Sequence, residues 1–218
     1  ERKAKAQPPV DASRRAFVAT AGVLVATAAQ AKVRKENTLV GQVTPKNNPA
    51  PQVRLTPPGS QSHKNLESKC IGCQLCVQAC PNNVLRASTS LEHLLQPEMI
   101  YNEGYCRPEC NRCGSICPTG AIRPISLEEK ASTQIGHAVW HHWLCVPVAN
   151  GDSCGNCARH CPAGAITMID GESMEGKAVK LPAVDSAKCI GCGACQSVCP
   201  TRPVSAIQVE GHEVHKVI

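Results

Sequence analysis

Large aromatic side chains are nearly missing from this 218-residue chain, which has one Phe, two Tyr and two Trp. A core built on rings is excluded, so something else must supply cohesion. There is no P-loop, no G-x-G-x-x-G after a strand and no nucleophile elbow, and thus no familiar nucleotide-binding or hydrolytic centre. No C-x2-C-H occurs, which leaves covalent c-type haem without an attachment point. The length allows one domain or a tightly fused pair.

Cysteine is abundant instead. Sixteen residues fall in four groups of four: Cys70, Cys73, Cys76, Cys80; Cys106, Cys110, Cys113, Cys117; Cys145, Cys154, Cys157, Cys161; and Cys189, Cys192, Cys195, Cys199. None lies outside a group. Disulfide frameworks spread their partners, because cross-links that close long loops constrain the unfolded chain most. Thiols two residues apart converge on one centre. The pattern is that of metal ligation.

Spacing separates zinc from iron–sulfur clusters. Structural zinc sites use C-x2-4-C knuckles set apart by a longer loop. Loops one and four read C-x2-C-x2-C-x3-C-P in full, ending in Pro81 and Pro200. That is the bacterial 4Fe–4S ferredoxin run, whose fourth Cys serves the partner cluster. Gly72, Gly191 and Gly193 let backbone N–H groups approach the sulfurs, one determinant of reduction potential. Loop two is C-x3-C-x2-C-x3-C-P, and loop three widens its first gap, Cys145-x8-Cys154. Both keep four thiols and the closing proline, so four 4Fe–4S clusters are expected.

Which loop shares with which is a separate question. The two regular loops are outermost and the two variants lie between them, which favours a nested scheme. It sets Cys70, Cys73, Cys76 with Cys199; Cys189, Cys192, Cys195 with Cys80; Cys106, Cys110, Cys113 with Cys161; and Cys145, Cys154, Cys157 with Cys117. Sequential pairing, first with second and third with fourth, is the alternative. Each unit runs cysteine loop, short helical turn, Cys-Pro and a β-prone tail, an α+β fold of tandem ferredoxin modules over 70–218. "AITMIDGESMEGKAVKLPAV" reads as a β-hairpin whose connection opens at Asp170-Gly171.

The formal charge of +6 alone would suggest a nucleic-acid-seeking surface. Each oxidised four-thiolate cluster carries roughly −2, so four bring the total to about −2. The basic side chains are read as balancing buried anions, with no nucleic-acid partner.

Residues 1–31 differ from the rest. Ser13-Arg14-Arg15-Ala16-Phe17 opens an apolar run ending in Ala29-Gln30-Ala31, the form of a twin-arginine signal or N-terminal anchor. A plain surface helix with an Arg pair is the alternative. The run is too short and too rich in Ala and Thr to read as a membrane span. A cluster protein assembled in the cytoplasm must be exported folded, which the twin-arginine route permits. The expected location is the periplasm, free or membrane-anchored through residues 14–31, with the segment retained or part of a longer product. Residues 32–69, with Pro45, Pro49, Pro51, Pro57 and Pro58, read as an extended Pro-rich linker, or an arm over the cluster domain.

The two full ferredoxin runs, the two variant runs and the Ser-Arg-Arg-x-Phe signal resemble exported four-cluster ferredoxin-type electron carriers, above all the MauM/NapG group. "VRLTPPGSQSHKNLESKCIGCQLCVQACP" is similar to that group's lead into its first loop, although Thr56 and Ser60 depart from the usual form. The resemblance implies an electron carrier rather than an enzyme. It further implies electrons taken from a membrane quinol-oxidising partner and passed to a periplasmic reductase. The nested arrangement also resembles iron–sulfur subunits of molybdopterin oxidoreductases. An iron–sulfur subunit of another membrane-associated oxidoreductase, or a catalytic or sensory cluster, is the competing reading. "GHAVWHHWLC" holds His137, Trp140, His141, His142 and Trp143. It is read either as a docking patch or as Trp covering a cluster with His facing water.

Overall fold

The computed structural model describes residues 44–218. The expected signal or anchor (1–31) and residues 32–43 of the expected linker lie outside the described residues.

In every cysteine loop the third Cys sits on a one-turn helix and the fourth follows it. Helix α1 (His63–Lys69) leads into loop one; its N-cap Ser62 accepts from the Asn65 N–H. Helices α2 (Leu75–Ala79) and α3 (Arg112–Ser115) carry Cys76 and Cys113, and they lie against each other. Helix α4 (Leu127–Ser132) is capped by Ser126, and α5 (Val146–Asn150) fills the widened gap of loop three. Helices α6 (Asn156–Arg159) and α7 (Ala194–Val198) carry Cys157 and Cys195 and again pack together. Such short helices have no independent stability; tertiary contacts hold them.

The strands form three antiparallel pairs. β1 (Leu85–Ala87) pairs with β2 (Pro97–Met99), Leu85 opposite Met99. β3 (Thr133–Trp140) pairs with β6 (Ile207–Val217), Trp140 opposite Ile207, with a register shift between Gln134 and Gly136. β4 (Ile166–Glu172) pairs with β5 (Ala178–Val184) as the expected hairpin. Its connection lies elsewhere than expected. Asp170 and Gly171 are paired inside the ladder with Lys180 and Val179, and the chain turns at Gly176 instead, where φ is 77°.

These pairings set the module boundary. β3 precedes loop three and β6 follows loop four, so their ladder clasps those two loops together. Loops one and two enclose the β1–β2 ladder. The tandem α+β plan holds, but the modules are sequential, not nested. Sequential closure joins loops close in sequence, which costs less chain entropy than bridging the whole domain.

Of the segment expected as a linker or an arm over the cluster domain, the described part is packed on it, with residues 55–60 buried and 63–69 helical. Leu55 accepts from the Met99 N–H, Val53 from Gly211 and Gly59 from Arg123, which stitches this segment to both modules. Thr56 and Ser60 are fully buried; the Ser60 hydroxyl donates to the Pro57 carbonyl and bonds Thr56. The core holds Leu66, Val84, Tyr101, Ile122 and Ile135, with cysteine thiols packed among them. Among the described residues no helix is long and apolar enough to cross a membrane.

Candidate metal centres

The thiols gather in four sets. Site A brings Cys70, Cys73 and Cys76 together with Cys117. Site B joins Cys106, Cys110 and Cys113 to Cys80. Site C sets Cys189, Cys192 and Cys195 beside Cys161. Site D joins Cys145, Cys154 and Cys157 to Cys199. The nested scheme is thereby corrected at all four crossing cysteines: Cys80, Cys117, Cys161 and Cys199 each reach the neighbouring loop. Symmetry of the irregular spacings misled because spacing alone does not register which helices pack together.

Hollows A, B and D are nearly equal, about 360, 370 and 330 Å³ counted out to their mouths. The thiols stand around them rather than closing on one ion position. Burial, reinforced by the neighbouring sulfurs, pushes the Cys76 thiol up to about 11 and Cys113 and Cys192 to about 12. Burial likewise lifts Cys157 to about 11 and Cys195 well above the usual thiol range. Four thiolates in such a hollow need a cationic core between them. The donor set therefore fits a polynuclear iron–sulfide group.

Three of the four crossing cysteines accept backbone N–H groups at sulfur. Burial raises Cys117, but N–H donation from Ile122 and bonds from Thr119 outweigh it, so its thiol lies below the ordinary value. The Ile122 N–H is 3.5 Å from the Cys117 sulfur, Ala165 N–H 3.3 Å from Cys161 and Ala206 N–H 3.3 Å from Cys199. In the two Cys-Pro-Thr loops the threonine hydroxyl adds a contact, 3.7 Å at Cys117–Thr119 and 3.3 Å at Cys199–Thr201.

The four sites follow one another in space. Cys76 of site A lies close enough to Cys113 of site B to raise its thiol. Between sites B and C the Cys106 N–H donates to the Cys192 carbonyl at 2.9 Å. Tyr101, 1% exposed, fills the same seam, and its hydroxyl donates to the Gly191 carbonyl at 2.7 Å. Cys195 of site C in turn feels Cys157 of site D.

Sequence reasoning missed two residues around these centres. Tyr101 is one; nothing in "EMIYNEGYC" distinguishes it from the exposed-looking tyrosine four residues on. Lys130 is another, in a segment that reads as a solvated helix. Trp140 lines hollow D, and its buried indole N–H has no oxygen or nitrogen partner. It lies short of a full hydrogen bond to Cys145 yet close enough to favour the thiolate there, against the larger upward push of burial. Trp143, in contrast, is 57% exposed and packs its ring against His142 and His141. His137 is bonded to His212 at 3.2 Å, and His142 is exposed.

Comparison with known proteins adds to this geometry. Residues 69–146 and 152–202 match the 4Fe-4S dicluster domain, with the break inside the gap between Cys145 and Cys154. The methylamine utilization ferredoxin-type protein MauM of Methylobacillus flagellatus is 32% identical over 169 residues, 74% of this chain and 70% of that protein. MauM of Methylorubrum extorquens is 35% identical over 150 residues, 66% of this chain and 67% of that protein. The chain belongs to the MauM/NapG family of ferredoxin-type proteins. Ferredoxin-type protein NapG of Escherichia coli is 31% identical over 154 residues, 67% of this chain and 66% of its own length. As a member of the MauM/NapG family this is an iron–sulfur, electron-transfer protein with 4Fe–4S dicluster domains.

Proposed function

We propose that this protein relays electrons through four 4Fe–4S clusters, from a quinol-oxidising membrane partner to a periplasmic reductase. The observation that carries the reading is the row of adjacent four-thiol sites, A to B to C to D. When bound, each cluster supplies reversible one-electron chemistry at nearly fixed geometry. Cys70, Cys73, Cys76 and Cys117 would hold the first, and the corresponding sets at B, C and D the others.

The protein's own groups do the rest. Tyr101 and the buried cysteines of loop four keep water from the B–C seam, while the Cys106–Cys192 hydrogen bond joins ligand to ligand across it. Site A reaches the surface at exposed Cys73, beside exposed Ile71. Site D lies near exposed Trp143. Those ends are where partners exchange electrons. Four thiols at every site give each cluster a full set of cysteine ligands and leave no iron open to a substrate, which fits a carrier rather than an enzyme. Export by the twin-arginine segment within 1–31 accounts for a periplasmic partner, and that segment or a partner tethers the protein to the membrane.

Anaerobic iron analysis tests the cluster count: about 16 iron atoms per chain are expected, with four reducible centres by EPR. A stoichiometry near eight, or a substrate-binding cluster with three cysteine ligands, would overturn the wire. For the partnership, the protein is expected to co-purify with membranes bearing quinol-dependent reductase activity; quinol unable to reduce it in those membranes would sink that part.

A further inference from the structure

Lys130 is 5% exposed, an unusual place for an ammonium. Helix α4 holds it there: Ser126 caps the helix, Glu129 pairs outward with Arg123, and Lys130 faces in. Its Nζ donates to the carbonyls of Arg107 and Cys110, both in loop two. It also approaches the Cys106 sulfur, where it opposes the upward push of burial, and it acts on Cys113 in the same sense. Among the described residues no carboxylate lies within ion-pairing distance of it. A buried ammonium without a countercharge is strongly destabilising. Among the described residues the anion positioned to neutralise it is the thiolate set of site B.

We infer that Lys130 is a positioning residue that sets the reduction potential of the cluster at site B, raising it through a fixed positive charge against loop two. Gaining an electron makes the bound group one unit more negative, so a neighbouring cation favours the reduced state. Lys46 is the comparable cation at the other module: it reaches the carbonyls of Gln196 and Ser197 near Cys199 and Cys195, but from a half-buried position open to more screening than Lys130. The inference rests on the reading that site B holds a cluster, and it makes B a low point for electrons along the row.

The test is an anaerobic redox titration followed by EPR on full-length Lys130→Met and Lys130→Arg, each with its iron content measured. Site B is assigned by the spectrum that Cys110→Ser alters. Lys130→Met is expected to lower the reduction equilibrium constant of site B at least tenfold, about 59 mV for one electron, with smaller changes elsewhere. Lys130→Arg should stay within threefold of the parent. A fully iron-loaded Lys130→Met with no selective shift, or an equal shift in Lys130→Arg, overturns the inference. Should Lys130→Met lose cluster B, pulsed EPR of the parent labelled with nitrogen-15 lysine decides: a lysine coupling on the site B signal supports the role, and its absence refutes it. Parent protein lacking any cluster at B would instead fail the wire itself, a result the iron analysis reads separately.

Discussion

The seam between sites B and C makes a sharp prediction about Gly193. Its φ is 79°, and a Cβ there would lie 2.2 Å from Tyr101 Cγ and 2.3 Å from Cδ1. The ring cannot retreat, since Tyr101 is 1% exposed and tied to the Gly191 carbonyl. Gly193→Ala therefore meets two costs. The left-handed backbone costs roughly 1–2 kcal/mol for a residue with a Cβ, and overpacking a filled site typically about 1–3 kcal/mol more. Gly120 provides the control: φ is 67°, with nothing within 4 Å of its added Cβ. Gly120→Ala should show the backbone cost alone. Cluster loss makes unfolding irreversible, so the assay is the rate at which visible absorbance disappears in urea under anaerobic conditions. Gly193→Ala should unfold at least about fivefold faster than Gly120→Ala, the rate equivalent of the added 1 kcal/mol or more. In a Tyr101→Leu background the excess at 193 should vanish. Equal rates for the two alanine variants, or an excess that survives removal of the ring, would refute the packing argument.

Three further substitutions probe named groups. Thr201→Val removes the hydroxyl 3.3 Å from the Cys199 sulfur and should lower the site D potential by roughly 20–40 mV, taking about 0.5–1 kcal/mol for one hydrogen bond. Thr119→Val, at 3.7 Å from Cys117, should shift site A less in the same titration; an equal or larger shift would contradict the distance argument. Burial, with His63 and His212 nearby, holds His215 down to about 4, and its Nε2 lies 3.0 Å from the Thr56 hydroxyl. The fold prefers neutral His215, so its contribution is complete above the ordinary value of about 6.5 and is lost as pH falls from there through about 4. The loss reaches up to about 3 kcal/mol. His215→Gln should flatten the acid limb of unfolding rate against pH between those values, and an unchanged limb would remove His215 as its cause.

The sequence displayed the chemistry more clearly than the connectivity. Cys-x2-Cys spacing is local, and it delivered every thiol that lines sites A to D. Pairing is long-range: Cys80 and Cys199 close loops of identical cysteine spacing, and only the β3–β6 ladder and the packed helix pairs α2–α3 and α6–α7 separate their destinations. Asp170-Gly171 misled because a turn dipeptide also fits an exposed ladder whose alternation continues past it. Thr56 and Ser60, departures from the family's usual form, are understood once their mutual hydrogen bond is seen in the interior. Lys130 was illegible because "LEEKAS" scores as a solvated helix, and its burial depends on loop two packing over it. Trp140 was visible as a residue but not as a donor, since its indole direction is set by strand β3.

Paired ligand substitutions test the sequential sharing of cysteines directly, by counting altered clusters. Cys199→Ser is combined once with Cys154→Ser and once with Cys73→Ser, and EPR of the reduced proteins counts the perturbed centres. If Cys199 serves site D, the first pair alters one cluster and the second alters two. Two altered clusters in the first pair and one in the second would return Cys199 to loop one and contradict the arrangement.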